Sequence, residues 1–442
     1  MKGIFYIICG SSASGKTTLV SRILSKDSNF VKATKYSTRK NRPGDIADDI
    51  IHVDKINPGE FDLCWAAMEN HYGIKFAEIN NLLEKGKNVL LSTTNLRAVS
   101  RIKSQYNDQV TSLSIFSPID QSKLYEVVAD RTDYEPKEDI KKQFSILFSM
   151  LNAASELKRW RDVYSKTREL LEIWQKSIPD AQGVEQRIRK IRDFYIKFIE
   201  SGNEFDYTIL NYRMNHIEDM INQFYVIHNS NSKDLKVYKY KHSGPKIFVV
   251  ASSSGGGKRL LVENLSIIAP NEIEISPKWG KRDTKPNDGK DGMIAIGKKG
   301  SFPNHADIKY LMHKSKYYEG TEYAFSSKEI DKRLQAGKHQ LLVANVLQSE
   351  NLWHQLIKMY KEKLVILYLF RFEDQELMRT YQYSNCKTEE EATSRLEEIK
   401  QTYLSYAKHI DKVDHVIFNT DFPDDMYDQV LKLFEQYGLV RN

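Results

Sequence analysis

One pattern restricts this chain more than any other: a short apolar run, a glycine- and serine-rich loop closing on Gly-Lys, and a helical apolar spacing, present twice. Ile4-Phe5-Tyr6-Ile7-Ile8-Cys9 leads into Gly10-Ser11-Ser12-Ala13-Ser14-Gly15-Lys16-Thr17-Thr18, then Leu19, Val20, Ile23 and Leu24. Ile247-Phe248-Val249-Val250-Ala251 leads into Ser252-Ser253-Ser254-Gly255-Gly256-Gly257-Lys258-Arg259, then Leu260, Leu261, Val262 and Leu265. Each reads as buried strand, tight loop and amphipathic helix. Four further matches follow in the same order. Thr38-Arg39-Lys40-Asn41-Arg42-Pro43 answers Lys281-Arg282-Asp283-Thr284-Lys285-Pro286, and Tyr72-Gly73 answers Tyr323-Ala324. Glu84-Lys85-Gly86-Lys87 answers Gln335-Ala336-Gly337-Lys338, and Phe205-Asp206-Tyr207 with Asn211 answers Asp414-His415-Val416 with Asn419.

Two copies of one domain are therefore expected, at 1–229 and 246–442, joined by a polar linker at 230–245. The length of 442 residues fits two or three domains at roughly 150 residues each. Short apolar runs at Val89 to Leu91, Leu113 to Phe116, Thr208 to Leu210, Leu341 to Val343, Val365 to Phe370 and Val416 to Phe418 alternate with helical patterns. That alternation predicts an α/β fold with parallel sheets flanked by helices. The first copy carries an excess at 143–186, where Leu151, Ala154, Leu157, Trp160, Tyr164, Leu170, Leu171 and Trp174 approach helical spacing. It reads as an inserted helical hairpin that packs on its own body or serves as a homodimer or partner surface.

Composition narrows the function class. Three isolated cysteines, Cys9, Cys64 and Cys386, give neither a disulfide framework nor a zinc-ligand spacing. A formal net charge of +7 suits phosphorylated ligands but is far below a dedicated nucleic-acid binder, so a nucleic-acid partner is not favoured. No apolar run approaches the ~20 residues of a membrane span, and the start of the chain lacks a signal-peptide pattern. A cytoplasmic protein without membrane contact is expected.

Gly10-x4-Gly15-Lys16-Thr17 matches the phosphate-loop pattern in its required strand-to-helix setting. Backbone N–H groups from Gly10 through Thr18 would surround a polyphosphate, Lys16 would reach its terminal oxygens, and the Thr17 hydroxyl would face Mg2+. In the second copy Ser252 replaces the first glycine and Arg259 replaces the metal-binding hydroxyl, and a guanidinium cannot ligate a cation. The second copy is expected to be catalytically inactive, serving as scaffold, regulator or second binding surface.

These residues together resemble the guanylate kinase superfamily, over nearly all of both copies apart from hairpin and linker. The resemblance rests on the loop, Thr38-Arg39-Lys40-Asn41-Arg42-Pro43-Gly44-Asp45, Trp65 with Tyr72-Gly73, Arg131-Thr132-Asp133-Tyr134-Glu135, and Phe205-Asp206-Tyr207 with Asn211. It implies ATP and Mg2+ as cofactors, Arg39 and Arg42 holding the acceptor's phosphate, and Tyr72 adding a hydroxyl to that phosphate. It also implies Arg131 as a lid arginine closing over ATP, with Lys142 or Arg187 as its second basic residue. Asn211 either faces adenine or closes a turn.

Departures bear on the acceptor. Where guanylate kinases read guanine with two carboxylates, Cys64 and Ser92 stand here, and a phosphate-holding tyrosine aligns with Ile50 or Ile51. A thiol and a hydroxyl cannot accept guanine's paired donors as carboxylates do. Phe61-Asp62-Leu63-Cys64-Trp65 and Leu90-Leu91-Ser92-Thr93-Thr94-Asn95-Leu96-Arg97 are more similar to the ribose 1,5-bisphosphate phosphokinase branch. The expected protein is thus an ATP/Mg2+-dependent kinase of a small phosphorylated acceptor, a ribose bisphosphate or a nucleoside monophosphate. Its catalytic residues would be Lys16, Arg39, Arg42 and Arg131, with Ser92 lining the acceptor site. A non-catalytic binding module and a kinase of a nucleic-acid or modified-nucleotide hydroxyl are the competing classes.

Overall fold

The structure is a computed structural model that describes residues 3–11, 14–39, 50–67, 70–117, parts of 188–198, 204–211, 217–230, 244–253, 255–284, 288–289, 292–303, 310–314, 321–345, 350–371, 388–419 and 423–440. The insertion at 143–186, nearly all of the linker, and Ser12, Ala13, Arg42, Arg131, Lys142, Arg187 and Cys386 lie outside the described residues.

The amino-terminal half contains β1 (Phe5–Gly10), α1 (Lys16–Lys26), β2 (Phe30–Lys32), β3 (Lys35–Ser37), β4 (Ile50–His52), β5 (Leu63–Ala67), β6 (Asn70–Ile74), α2 (Phe76–Glu84), β7 (Asn88–Thr93), α3 (Leu96–Tyr106), β8 (Val110–Phe116), β9 (Tyr207–Leu210) and α4 (Ile217–His228). The carboxy-terminal half contains β10 (Ile247–Ala251), α5 (Lys258–Ile268), β11 (Ile273–Ile275), β12 (Lys278–Gly280), β13 (Met293–Ala295), β14 (Tyr310–Lys314), β15 (Glu322–Ser326), α6 (Ser327–Gln335), β16 (His339–Val343), α7 (Glu350–Tyr360), β17 (Leu364–Arg371), α8 (Glu389–Lys408), β18 (His415–Asn419) and α9 (Pro423–Gln436).

The main sheets have the orders β2-β7-β1-β8-β9 and β11-β16-β10-β17-β18, all parallel. They are the same order, element for element. Every residue of β1, β8 and β10 is buried, which explains why these strands read as continuous apolar runs rather than alternations. All six apolar runs marked in the sequence are strands of these sheets. Each half adds a four-stranded mixed sheet that the sequence pattern did not reveal, β4-β3-β6-β5 and β13-β12-β15-β14. In both, one pair is parallel and two are antiparallel. Three-residue strands such as β3 and β12 carry too short a pattern for periodicity to register.

Matching polar contacts recur in the two halves. The Asp206 carboxylate accepts from Ser112 N at 2.7 Å, and that of Asp414 accepts from Ile366 N at 2.7 Å. Gln223 closes the outer edge of β9: its Oε1 accepts from Leu210 N and its Nε2 donates to Leu210 O, each at 3.0 Å. Gln429 does the same to Phe418 N and O, each at 2.9 Å. A buried carboxamide thus pairs with both the N–H and the C=O of one edge-strand residue, at a place where an unpaired group would be costly.

The halves also share one hydrophobic cluster, in which Ile7, Phe116 and Leu210 join Phe370, Tyr406 and Phe418. Phe116 and Phe418 rings lie 4.4 Å apart. A second cluster, with Phe248, Leu341, Leu433 and Phe434, covers the opposite face of the carboxy-terminal main sheet.

His339 at the start of β16 gives the fold a pH dependence. Its Nδ1 accepts from Lys246 N at 3.0 Å, which requires an unprotonated nitrogen. Burial drives its pKa down to about 4, with Glu272 opposing and Lys246 assisting the shift. The unfolded chain binds this proton near its ordinary value of about 6.5, so the contribution is complete above that pH and is lost as pH falls toward about 4. Denaturant titrations across that window should show a decline that His339→Gln flattens.

Candidate functional site

The strongest candidate lies where β1 ends. Gly15 caps α1 with φ +98°, a left-handed conformation that glycine adopts without steric cost, and Lys16 begins the helix. The Lys16 ammonium donates to Gly10 O at 2.9 Å and Ser11 O at 2.5 Å, so its charge is drawn over the loop. Thr17 and Thr18 are exposed on the first turn, which leaves the Thr17 hydroxyl open to a metal ion. A Cβ on Gly10 would stand 2.5 Å from Ser14 Oγ and 2.9 Å from Ile115 O, so the strand end accepts no side chain. Ser14 Oγ is itself buried without a hydrogen-bond partner among the described residues. Amide donors at a helix N-terminus, a lysine over the loop and this buried hydroxyl fit the polyphosphate of ATP, and the exposed threonine fits its Mg2+.

Asn211, expected to face adenine or close a turn, is placed beside the phosphate loop. Asn211 is 6% exposed, its backbone N donates to Phe116 O at 2.7 Å, and its Nδ2 donates to Ser14 O at 3.1 Å. It is a strut that ties the end of β9 to the phosphate loop. Asn419 Nδ2 makes the matching bond to Gly256 O at 3.1 Å.

The small sheet stands at the carboxyl end of β7, beside β1. Two contacts hold it there: Lys35 Nζ lies 3.4 Å from both Ser92 O and Ser92 Oγ, and Asn95 Nδ2 donates to Ala66 O at 3.4 Å. Ile8 and Ser92 are register partners, so Ser92 is one strand away from the loop. Ser37 opposes Tyr72, and Thr38 N donates to His71 O at 3.1 Å, which brings Arg39 and Tyr72 to the same end of the sheet. Tyr72 stacks on Trp65, with ring centroids 5.8 Å apart and planes 11° apart. Arg39 is buried, and the His52 ring bonds its carbonyl oxygen through Nδ1. Cys64 on β5 is half-buried, and burial raises its thiol pKa; the Cys9 thiol, inside β1, is pushed up to about 12 by burial. Neither thiol is ionised near neutral pH.

Lys35 escaped the sequence reading, yet a signal for it existed. Lys278 stands at the corresponding place of the other half, and its Nζ donates to Val343 O at 2.8 Å.

The second loop keeps the backbone of the first by a reciprocal exchange. The side chain that Ser14 supplies in one half is supplied from across the loop by Ser252 in the other. A Cβ on Gly256 would lie 2.0 Å from Ser252 Oγ, so only one of the two places admits a side chain. Gly257 caps α5 with φ +96°, and Lys258 Nζ donates to Ser252 O and Ser253 O at 3.2 and 2.6 Å. Arg259, where Thr17 stands in the first half, is exposed and pairs with Glu263 on its own helix at 2.9 Å. The counterpart of Arg39 is also engaged internally. Arg282 Nη1 donates to Asp288 Oδ2 at 3.0 Å and Nη2 donates to Oδ1 of the same carboxylate. Burial works against the Arg282 charge, but Asp288 outweighs it and holds the guanidinium pKa raised.

A parallel sheet whose central strand opens into this loop and helix defines a P-loop nucleotide-binding architecture. More narrowly, it is a guanylate kinase-like P-loop fold, and kinases are what the chain resembles in sequence. It is 37% identical over 101 residues to the guanylate kinase of Wolbachia sp. subsp. Brugia malayi, covering 21% of this chain and 50% of that one. It is 30% identical over 118 residues to that of Thermotoga maritima, covering 25% and 56%, and 26% identical over 166 residues to that of Zymomonas mobilis, covering 36% and 73%. The chain spans about half the length of the first of these relatives. No family model matches. A crystal structure of guanylate kinase from Anaplasma phagocytophilum aligns with 44% of this chain and 86% of its own, at 20% identity and a TM-score of 0.28, a value too low to weigh in the assignment. Among the described residues no helix is long and apolar enough to cross a membrane.

Proposed function

We propose that the chain is a phosphotransferase whose amino-terminal copy, 1–229, moves the γ-phosphoryl group of ATP onto a small phosphorylated acceptor. In this reading 230–245 is a linker and 246–442 a copy that has lost catalysis. The observation that carries it is the intact loop of Gly10, Ser14, Gly15 and Lys16, set one strand from the sheet that presents Arg39 and Tyr72.

Each residue has a task in positioning and charge balance, the means by which phosphoryl transfer is catalysed. The loop amides and Lys16 hold the polyphosphate, and Thr17 offers its hydroxyl to Mg2+, which when bound neutralises phosphate charge. Arg39 takes two oxygens of the acceptor's phosphate through its planar fork, Arg42 adds a second cation, and Tyr72 orients that phosphate. The resemblance adds Arg131 as a further cation for the transferred group. The Lys35 ammonium beside Ser92 supports an anionic acceptor over a purine base, and so a ribose bisphosphate over GMP. In the carboxy-terminal copy the Arg259–Glu263 and Arg282–Asp288 pairs occupy two of the corresponding tasks, which supports the loss of turnover there.

A coupled assay of ADP release tests the reading, with ribose 1,5-bisphosphate, ribose 5-phosphate and GMP as acceptors. Turnover is expected with the bisphosphate at a kcat/KM that Lys35→Met lowers by about tenfold or more, the scale of one lost charge-assisted contact. ATP-dependent phosphorylation of none of the three contradicts it.

A further inference from the structure

The least expected polar contacts in the molecule cross from one half to the other. Tyr403 and Tyr406 lie on α8 of the carboxy-terminal half and are fully buried. The Tyr403 hydroxyl donates to Leu210 O at 3.1 Å, and the Tyr406 hydroxyl donates to Thr208 O. Both acceptors belong to β9, the edge strand of the amino-terminal main sheet. Packing alone would be served by phenylalanine: the place that matches Tyr406, counted back from Asp206 as Tyr406 is from Asp414, holds Phe198, which meets Phe418 ring to ring at 5.5 Å, while the place that matches Tyr403 holds Tyr195. A buried hydroxyl costs stability unless it is bonded, so two of them aimed at one strand edge mark a contact that fixes that strand's position.

What the strand positions is the phosphate loop. Leu210 O receives two donors, Gln223 Nε2 from its own half at 3.0 Å and Tyr403 from the other. The next residue, Asn211, is pinned through its backbone N to Phe116 O at 2.7 Å and through Nδ2 to Ser14 O at 3.1 Å. Ser14 precedes Gly15, where an added Cβ would already lie 3.2 Å from Asn211 Nδ2, so the loop is closely fitted to this strut. Burial raises the Tyr406 pKa well above its ordinary value, so the hydroxyl remains a donor across the physiological range.

We propose that the carboxy-terminal half is a built-in positioning partner for the amino-terminal phosphate loop, acting through the Tyr403 and Tyr406 hydroxyls on β9 and from there through Asn211. The half that has lost its own chemistry retains a task in that of its neighbour. The functional meaning of this contact rests on the nucleotide-site reading above; the mechanical claim does not.

The full-length Tyr403→Phe/Tyr406→Phe variant tests it, because both rings stay and only two oxygen atoms leave. In the absence of nucleotide, hydrogen exchange at the amides of Ser14 to Thr17 should quicken by about tenfold, while β7 amides in the sheet centre change far less. The Kd for Mg·ATP should rise by about three- to tenfold, as expected for two neutral hydrogen bonds whose loss is partly transmitted. Unchanged loop exchange alongside a lowered Tm would overturn the proposal, since a merely structural role predicts that outcome. Quickened loop exchange with no Mg·ATP binding by wild type would leave the proposal standing and remove the kinase reading. Should the double variant not fold, native-state exchange of wild type in sub-denaturing urea decides: loop and α8 amides are expected to open together, and a loop that opens independently of α8 contradicts the inference.

Discussion

Lys16→Ala is expected to lower kcat by about 10²- to 10³-fold, the cost of removing one preorganised donor from a developing phosphoryl charge. The fold should survive, because the side chain is only half-buried and its described hydrogen bonds are to the Gly10 and Ser11 carbonyls at the strand end, outside the hydrophobic clusters. Lys258→Ala, which removes the corresponding ammonium from the second loop, should leave turnover within about twofold, since that loop is followed by Arg259 rather than by a hydroxyl. Steady-state kinetics on the two variants, with Tm as the control for folding, separates a catalytic lysine from a structural one. Equal losses in both would mean that the halves work as two equivalent sites.

Phe418→Ala is expected to destabilise the whole chain by about 3–5 kcal/mol, as for other large aromatic residues removed from a core. The ring is fully buried and meets Phe116 at 4.4 Å, Phe198 at 5.5 Å and Phe370 at 6.2 Å, so the void would open between the halves rather than inside one. Its location makes the readout specific. Urea unfolding followed separately by fluorescence and by exchange in each main sheet should show both sheets losing protection together. A loss confined to the carboxy-terminal sheet would show that the shared cluster does not join the halves energetically.

How much of this was legible in the residues follows from the range of the interactions involved. The loop announced itself because its requirements are local: positive φ at Gly15, an open strand end at Gly10 and a lysine at a fixed offset. The strands β1, β7 to β10, and β16 to β18 were equally plain, since burial on both faces favours apolar runs. The Ser14 and Ser252 exchange was not legible as compensation, because the two places touch only once the loop is folded. Gln223 and Gln429 look in sequence like any polar residue on an amphipathic helix, and only the folded chain shows them bonded to a strand edge. Asn211 was legible as a strand-end residue matched by Asn419, but its bond to Ser14 O was not, because a residue pattern does not give the direction in which a carboxamide points. Tyr403 and Tyr406 gave no signal, because their partners lie almost two hundred positions away and belong to the other half.

The central claim is that one nucleotide site exists per chain and that it is formed around Lys16. Calorimetric titration of the full-length protein with Mg·ATP addresses it most directly. One site per chain is predicted, abolished by Lys16→Ala and retained in Lys258→Ala. Binding that survives Lys16→Ala and disappears in Lys258→Ala would contradict the account.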